Sequence, residues 1–236
     1  FRDGKLISTT TVPATKSFSG TGFFGAGGTG HVGSYPLNGY MADIRISSGV
    51  ARYTADFDKV VTEKDEDHIL ILTGETEDQS DSQNTVSFSD VETTAKYGQG
   101  SFEFSSGDAI TVPGSSDFNF GTGDFTIEGW IKTSTYSYDS YARRIFLLDG
   151  PTGNSSAENF QLAFDNAGKI WLWAYNGSSS TIDQVGSITV ADGEWHHFAV
   201  TRESGTIKLW VDGVFDTSVV YASSLGNLNS GSPRPQ

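Results

Sequence analysis

The stretch Phe125-Thr126-Ile127-Glu128-Gly129-Trp130-Ile131-Lys132 decides the fold class of this 236-residue chain. Its apolar residues Phe125, Ile127 and Ile131 are separated by even spacings, with polar or amphipathic residues between them. Successive side chains of a β-strand point to opposite faces, so an even spacing places these three on one face. The stretch therefore predicts a strand with one buried side.

The same two-residue period recurs through the rest of the chain. It appears in Met41–Ile46, Ser101–Ser105, Phe160–Phe164, Ile170–Tyr175, Trp195–Val200 and Ile207–Val211. Turn-forming dipeptides separate such runs, among them Asn38-Gly39, Asp192-Gly193 and Asp212-Gly213. These dipeptides tolerate the positive φ angles of tight hairpin turns. Since no segment has the period of a long amphipathic helix, we expect an all-β fold of two stacked antiparallel sheets.

Composition excludes several classes of function. The chain has 15 Lys plus Arg against 29 Asp plus Glu, a net charge of −14, which disfavours binding to a nucleic-acid backbone. It has no Cys, so disulfides, thiolate zinc sites and cysteine nucleophiles are excluded. Its apolar runs are far shorter than the roughly 20 residues of a membrane helix. We therefore expect no nucleic-acid partner and no membrane insertion.

A short motif is repeated near the two ends of the chain. Phe1–Lys5 and Trp210–Val214 share an aromatic residue, a spacer and an Asp-Gly pair. This recurrence predicts a tandem array in which the chain is part of a longer polypeptide, with other copies as partners. Residues 1–58 are then the C-terminal part of one repeat, or closing strands of the same domain. Residues 59–66 form a charged junction, and residues 67–236 form the main domain.

An ordered series of motifs carries a family resemblance. They are Tyr97–Phe104, Ile110–Pro113, Gly123–Trp130, Gly193–Arg202 and Leu209–Gly213, with Gly39–Ile46 and Ala51–Thr54 earlier in the chain. Together they resemble the laminin-G-like branch of the concanavalin A-like lectins and glucanases. The resemblance implies a jelly roll, a sandwich of two large antiparallel sheets. It does not decide the function, because this family includes sugar binders, adhesion modules, glycosidases and structural spacers.

The resemblance also raises a question about chain closure. In this family the first and last strands resemble neighbours in one sheet, and here the closing motif precedes the main domain. The segment Tyr40–Ile46 either pairs with His68–Leu72 of the same chain, as in a circular permutant, or completes a preceding domain. The sequence leaves both arrangements open.

Candidate catalytic residues are few. The related endoglucanases place three carboxylates on one strand as E-x-D-x-x-E, and no such strand occurs here. The serine elbow G-x-S-x-G is also absent. His196 and His197 are adjacent, so on a strand they face opposite sides and cannot hold one metal jointly. We therefore expect no enzymatic activity, and we interpret Glu128 as a single surface or concave-face carboxylate.

A structural calcium ion is the metal hypothesis. Calcium binds carboxylate and carbonyl oxygens, and jelly rolls of the resembled superfamily often carry one. By that resemblance, the carboxylate of Asp43 and the carbonyl of Gly107 would contribute ligands. The alternative is that Asp43 caps a turn or faces solvent.

An aromatic strand is the main candidate for ligand binding. Trp171, Trp173 and Tyr175 alternate along one strand and share a face, where flat rings could stack on sugar rings. The loop residues Tyr136, Tyr138 and Tyr141 would wall such a groove. In the alternative arrangement the aromatic face packs inside the sandwich, since large aromatic residues are usually buried.

Two function hypotheses follow. The first is a non-enzymatic structural or adhesion module of a repeated assembly on an extracellular or virion surface, such as a tail fibre, an appendage or an adhesin. A module of this kind can also bind a cell-surface glycan. The second is a carbohydrate-binding lectin domain with an aromatic sugar platform. A glycoside hydrolase is the least supported of the three classes, because the residues that would supply its chemistry are missing.

Overall fold

The computed structural model describes residues 22–25, 37–57, 67–73, 78, 80, 86–89, 92–94, 100–105, 108–112, 116–118, 120–136, 143–149, 159–175 and 180–225. Most of these residues are in β-strands, and a short 3-10 turn lies at Ser116–Phe118. The prediction of an all-β chain is confirmed. Within the described ranges, the structure has no helix with the length and apolar character that crossing a membrane requires.

Fifteen strands are present in the described part of the chain. In chain order they are β1 (Gly22–Phe24), β2 (Gly39–Ser48), β3 (His68–Leu72), β4 (Ser87–Ser89), β5 (Glu92–Thr94), β6 (Ser101–Phe104), β7 (Ala109–Val112), β8 (Phe125–Lys132), β9 (Arg144–Asp149), β10 (Asn159–Phe164), β11 (Lys169–Tyr175), β12 (Ser180–Thr189), β13 (Trp195–Glu203), β14 (Thr206–Val211) and β15 (Val214–Val220).

The strands form two antiparallel sheets that pack face to face. The seven-stranded sheet has the order β12-β11-β10-β9-β1-β7-β4, and the eight-stranded sheet has the order β15-β14-β13-β8-β2-β6-β5, with β3 also paired to β2. Within the described residues, one cluster of buried apolar side chains, drawn from both sheets, fills the space between them. This is the sandwich of two stacked antiparallel sheets that the sequence predicts.

Strand β8 has the two faces expected from its sequence. Phe125, Ile127 and Ile131 belong to the buried core cluster. On the neighbouring strand β13, Phe198 and Val200 do the same, and β13 pairs with β8 over its full length. The outer faces of both strands point away from the core, so they are available to other parts of the chain.

Strand β2 joins the N-terminal segment to the eight-stranded sheet. One edge pairs with β8, while its first residues pair with β6 and its last residues with β3. Residues 44–47 pair with residues 68–72 of the same chain, so the closure within one chain is the arrangement found, while Tyr40 and Met41 pair with β6. Strand β1 similarly lies between β7 and β9 in the other sheet. The domain bounds 1–58, 59–66 and 67–236 stay a prediction.

The turn dipeptides behave in two ways. Asp212-Gly213 joins β14 to β15 with positive φ at both residues, 53° and 81°, as a tight hairpin turn requires. Asn38-Gly39, predicted as a turn, instead leads into β2, with Gly39 as the first strand residue. A Cβ at Gly39 would lie 2.3 Å from the carbonyl oxygen of Lys132. Glycine is thus required here by close backbone approach.

Among the residues that the structure describes, Arg202 has the largest fully buried side chain, and it lies at the end of β13. Its guanidinium donates hydrogen bonds to the carbonyl oxygens of Gly121 at 2.9 Å, Tyr221 at 2.9 Å and Ser223 at 2.8 Å. It also lies 5.9 Å from the centroid of the Tyr221 ring. A buried cation is tolerated only where hydrogen bonds replace its hydration. Through these hydrogen bonds, Arg202 connects the segment after β15 to the loop before β8.

We predict that Arg202→Met lowers the free energy of unfolding by about 3 kcal/mol, because buried carbonyl groups lose their donors. Urea unfolding followed by tryptophan fluorescence measures the change. Lys208→Met is the control: Lys208 forms a more exposed ion pair with Glu203, at 3.1 Å, and its loss should cost at most about 0.5 kcal/mol. Equal effects of the two substitutions would contradict the role assigned to Arg202.

Candidate functional site

The aromatic residues of β11 lie on the outer face of the seven-stranded sheet. Ile170, Leu172 and Ala174 are buried in the core, whereas the alternating aromatic residues are partly exposed. We call Trp171, Trp173 and Tyr175 the aromatic row. Of the two arrangements that the sequence allowed, the structure has the one with the rings outside, since the smaller aliphatic side chains of β11 fill the core.

The rings of the aromatic row are in mutual contact. The Trp171 and Trp173 ring centroids are 6.3 Å apart with planes inclined by 56°. The Trp173 and Tyr175 rings are 5.7 Å apart and nearly parallel, at 5°. The three side chains therefore form a continuous aromatic strip along one strand, partly accessible to solvent.

Polar side chains flank the aromatic row on both neighbouring strands. Asp183 of β12 and Gln161 of β10 are the strand partners of Trp173. The Trp171 indole N–H donates to Asp183 Oδ1 at 2.8 Å, which fixes the orientation of that ring. On the other side, Arg144 Nε donates to Gln161 Oε1 at 2.8 Å. The face thus combines aromatic surface with groups that can donate and accept hydrogen bonds.

Of the three tyrosines predicted to wall a groove beside the aromatic row, the structure describes only Tyr136. Tyr136 is partly buried against the core, and a Cβ added at Gly168 would lie 3.2 Å from its ring. Gly168 precedes β11, so Tyr136 packs close to the strand end from which the aromatic row starts. Tyr138 and Tyr141 lie outside the described residues. Ligand binding by these six residues stays a prediction.

Asp43, the predicted calcium ligand, lies at an irregularity in β2. The pairing of β2 with β8 shifts register between Ala42 and Arg45, and Asp43 has a φ of 48°. Its Oδ1 accepts a hydrogen bond from Arg45 Nε at 2.8 Å in a largely buried ion pair. Gly107, the other predicted ligand, lies outside the described residues. The calcium site is therefore untested, and Asp43 has a partner in Arg45.

A second cluster, not anticipated from the sequence, lies on the outer face of the eight-stranded sheet. Residues 50–57, which we call the covering segment, cross this face. Their backbone is held by hydrogen bonds from Arg52 N to Thr126 Oγ1 at 2.8 Å and from Phe57 N to the Gly213 carbonyl oxygen at 2.9 Å. The hydroxyl of Thr201 also donates to the Tyr53 carbonyl oxygen at 3.0 Å. The covering segment thus buries the centre of this sheet face.

Glu128 and His197 lie beneath the covering segment. They are 2 % and 5 % exposed, and His197 Nε2 lies 3.4 Å from Glu128 Oε2. The Tyr53 hydroxyl donates to the same carboxylate, and the Tyr53 and Phe57 rings both contact His197 edge-on. The interpretation of Glu128 as a surface carboxylate is wrong. No local sequence pattern indicated the burial of Glu128, because Tyr53 is 75 positions away along the chain.

His196 faces the opposite way from its neighbour, as predicted. Its Nδ1 lies 2.7 Å from Asp212 Oδ2, and its Nε2 lies 3.1 Å from Asp192 Oδ1. Burial alone would lower the pKa of His196, but hydrogen bonds to the two carboxylates raise it above the ordinary value. Since His197 is directed to the other side, the two histidines belong to separate clusters.

The charge of Glu128 should stabilise the fold in a pH-dependent way. Burial raises the pKa of this carboxyl, but hydrogen bonds from His197 and Tyr53 and the charge of Arg45 outweigh burial and lower it below the ordinary value. A lowered folded-state pKa stabilises the protein above the unfolded-state value of about 4.3, and this contribution is lost as pH falls through the folded-state pKa.

We therefore predict that Glu128→Gln lowers the free energy of unfolding by about 2 kcal/mol at pH 7, and that the difference from the native protein shrinks below about pH 4. Chemical unfolding at a series of pH values measures it. Glu203→Gln, on the more exposed end of β13, is the control and should show little change at any pH. A difference that stays constant with pH would contradict the prediction.

Comparison with known proteins shows which family this chain resembles. A laminin-G model described as "Concanavalin A-like lectin/glucanases superfamily" matches residues 104–234. A search of curated proteins gives no match. Among solved structures, one from Bacteroides ovatus ATCC 8483, described as a "putative carbohydrate binding protein", is 11% identical with a TM-score of 0.23. The alignment covers 80% of this chain and 64% of that one. A TM-score this low carries no weight for function.

The family model spans more than half of the chain, from the end of β6 to beyond β15. The strands in that region form both sheets of the sandwich, and they include the aromatic row. The sequence motifs, the two antiparallel sheets and the family match agree: the chain belongs to the concanavalin A-like lectin/glucanase superfamily.

Proposed function

We propose that this protein is a carbohydrate-binding domain that holds glycans on the aromatic row and does not hydrolyse them. One observation carries the proposal: three large aromatic side chains lie in line on the outer face of a sheet, where burial would have stabilised the fold. Large aromatic residues are usually buried when they serve the fold alone. Their exposure supports a ligand-binding role.

The chemistry of the face suits saccharides. A sugar ring presents C–H groups on its faces and hydroxyl groups at its rim. The rings of Trp171, Trp173 and Tyr175 would pack against the C–H groups. The carboxylate of the exposed Asp183 would accept hydrogen bonds from hydroxyls, and the guanidinium of the partly exposed Arg144 would donate to them. Because Asp183 already orients the Trp171 indole, little conformational freedom would be lost on binding.

A non-catalytic role fits the surroundings of the carboxylates. Glycoside hydrolysis needs two carboxyl groups that reach the scissile bond. Glu128 and its partner His197 are covered by residues 50–57, on the face opposite the aromatic row. The proposed role requires no such chemistry, since stacking and hydrogen bonding hold the ligand.

A second candidate is a structural or adhesion module of a repeated assembly on an extracellular or virion surface. The motif shared by Phe1–Lys5 and Trp210–Val214 favours it, because repeated sequence is typical of arrays of copies. In that role the partners would be other copies of the protein. The two candidates are compatible, since a module of a surface array can also present a glycan-binding face.

We predict that Trp171→Ala combined with Trp173→Ala strongly weakens glycan binding by the aromatic row. Each lost ring contact should cost about 1–2 kcal/mol, so the loss of both should lower the affinity of the aromatic row by a factor of about 30 or more. A glycan array probed with the native protein identifies the ligand, and titration calorimetry measures the loss.

Phe215→Ala is the matched control, because Phe215 is an exposed aromatic residue, 46% accessible, on the other sheet. It should bind as the native protein does. Absence of any saccharide binding by the native protein at high concentration would leave the structural role alone. Unchanged binding by the double variant would place the ligand elsewhere.

A further inference from the structure

A cleft of about 250 Å³ opens at the other side of the sandwich from the aromatic row. It lies at the end of the eight-stranded sheet, where β2 begins and where β6 and β8 end. Its lining includes Tyr40, Glu103 and Lys132. None of these residues belongs to the aromatic row or to the Glu128 cluster.

Strand register creates this arrangement. Glu103 of β6 is the strand partner of Tyr40 of β2, Tyr40 is the partner of Lys132 of β8, and Lys132 is the partner of Trp195 of β13. We call these four residues the cross-strand row. All four are partly exposed. The adjacent outer-face residues Trp130 and His197 are buried, so the cross-strand row marks where the open part of this face begins.

The cross-strand row combines the groups that recognise a sugar. The Tyr40 and Trp195 rings are 6.3 Å apart and offer aromatic surface. The Tyr40 hydroxyl donates to Glu103 Oε1 at 2.8 Å, which leaves the rest of that carboxylate to accept other donors. Among the residues that the structure describes, the Lys132 ammonium has no hydrogen-bond or ion-pair partner. It can therefore donate to a ligand.

Hydrogen bonds to the buried Thr133 connect the loops that line the cleft. The Thr133 hydroxyl donates to the Asn38 carbonyl oxygen at 2.5 Å and accepts from Thr135 N at 3.0 Å. The Gly193 amide donates to the Thr133 carbonyl oxygen at 2.9 Å. Three separate loops are thus joined through one buried threonine. Loops that are already connected in this way lose little conformational entropy when a ligand binds.

We propose that this cleft is a second saccharide-binding site, which takes a neutral sugar unit on the sheet opposite the aromatic row. The charges of Glu103 and Lys132 cancel locally, and the net charge of −14 repels acidic sugars, so a neutral ligand fits best. The inference rests on the proposed function for its ligand class, but it uses none of the same residues. Two sites on opposite faces would let one domain bridge two glycan chains.

Tryptophan indole signals in NMR spectra provide the test, because each of the five Trp residues reports its own surroundings. The Trp171→Ala, Trp173→Ala background retains Trp130, Trp195 and Trp210, of which only Trp195 is partly exposed. We expect titration with neutral oligosaccharides (maltohexaose, cellohexaose, mannopentaose and chitotriose) to shift the Trp195 signal in this background. The Trp130 and Trp210 signals should move little.

Charge-removing variants sharpen the test. Glu103→Gln with Lys132→Met in the same background should weaken the affinity by about tenfold or more. Lys132→Met alone keeps the hydrogen bond between Glu103 and Tyr40, so it should fold as the native protein does. It should also weaken the affinity for the saccharide, which separates the loss of a ligand contact from misfolding. The matched control is Glu203→Gln with Lys208→Met, an acid and a lysine beside Trp210 on the same sheet face, which should leave the affinity unchanged.

The failures of the two proposals are distinguishable. If the native protein binds a saccharide but the Trp195 signal does not move in the double-tryptophan background, the second site is refuted and the aromatic row stands. If binding persists through Trp195 when the aromatic row is removed, the cleft site is supported independently. If no saccharide binds to the native protein, both proposals fall.

Discussion

The pairing of β2 inside the eight-stranded sheet is the interaction on which the rest of the structure depends. Without β2, strand β8 on one side and strands β3 and β6 on the other would present unpaired backbone groups next to the core. Such edges are costly when buried and prone to pairing with other chains when exposed. With β2 in place, Met41, Ile44 and Ile46 also complete the core cluster.

The position of β2 determines what happens on the outer face of its sheet. The extra residue near Asp43 shifts its register against β8, which lets Ile44 and Ile46 face the core beyond that point. The chain that leaves β2 then crosses the sheet as residues 50–57 and buries Glu128 and His197. Tyr40, at the other end of β2, is not beneath the covering segment and lines the cleft. On the outer face of this sheet, β2 thus has the buried Glu128 cluster near its C-terminal end and the open cleft at its N-terminal end.

Local sequence patterns predicted the elements that depend on neighbouring residues. The alternation in β8 and the Asp212-Gly213 turn are set within a few positions, so the sequence identified them. It could not decide which side of β11 faces the core, because Ile170 and Trp171 are both apolar side chains. The Glu128 cluster and the cleft were missed for another reason: their members come from strands far apart in the chain, and register alone brings them together.

Hydrogen–deuterium exchange of the backbone amides in β2 tests this account most directly. If β2 is a central strand closed within its own chain, the amides of Met41 to Ser47 that pair with β8, β6 and β3 exchange as slowly as those of β8 and β13, through global unfolding. Exchange of β2 in a dilute monomer much faster than in β8 would show that the strand does not close this sandwich, and would contradict the account.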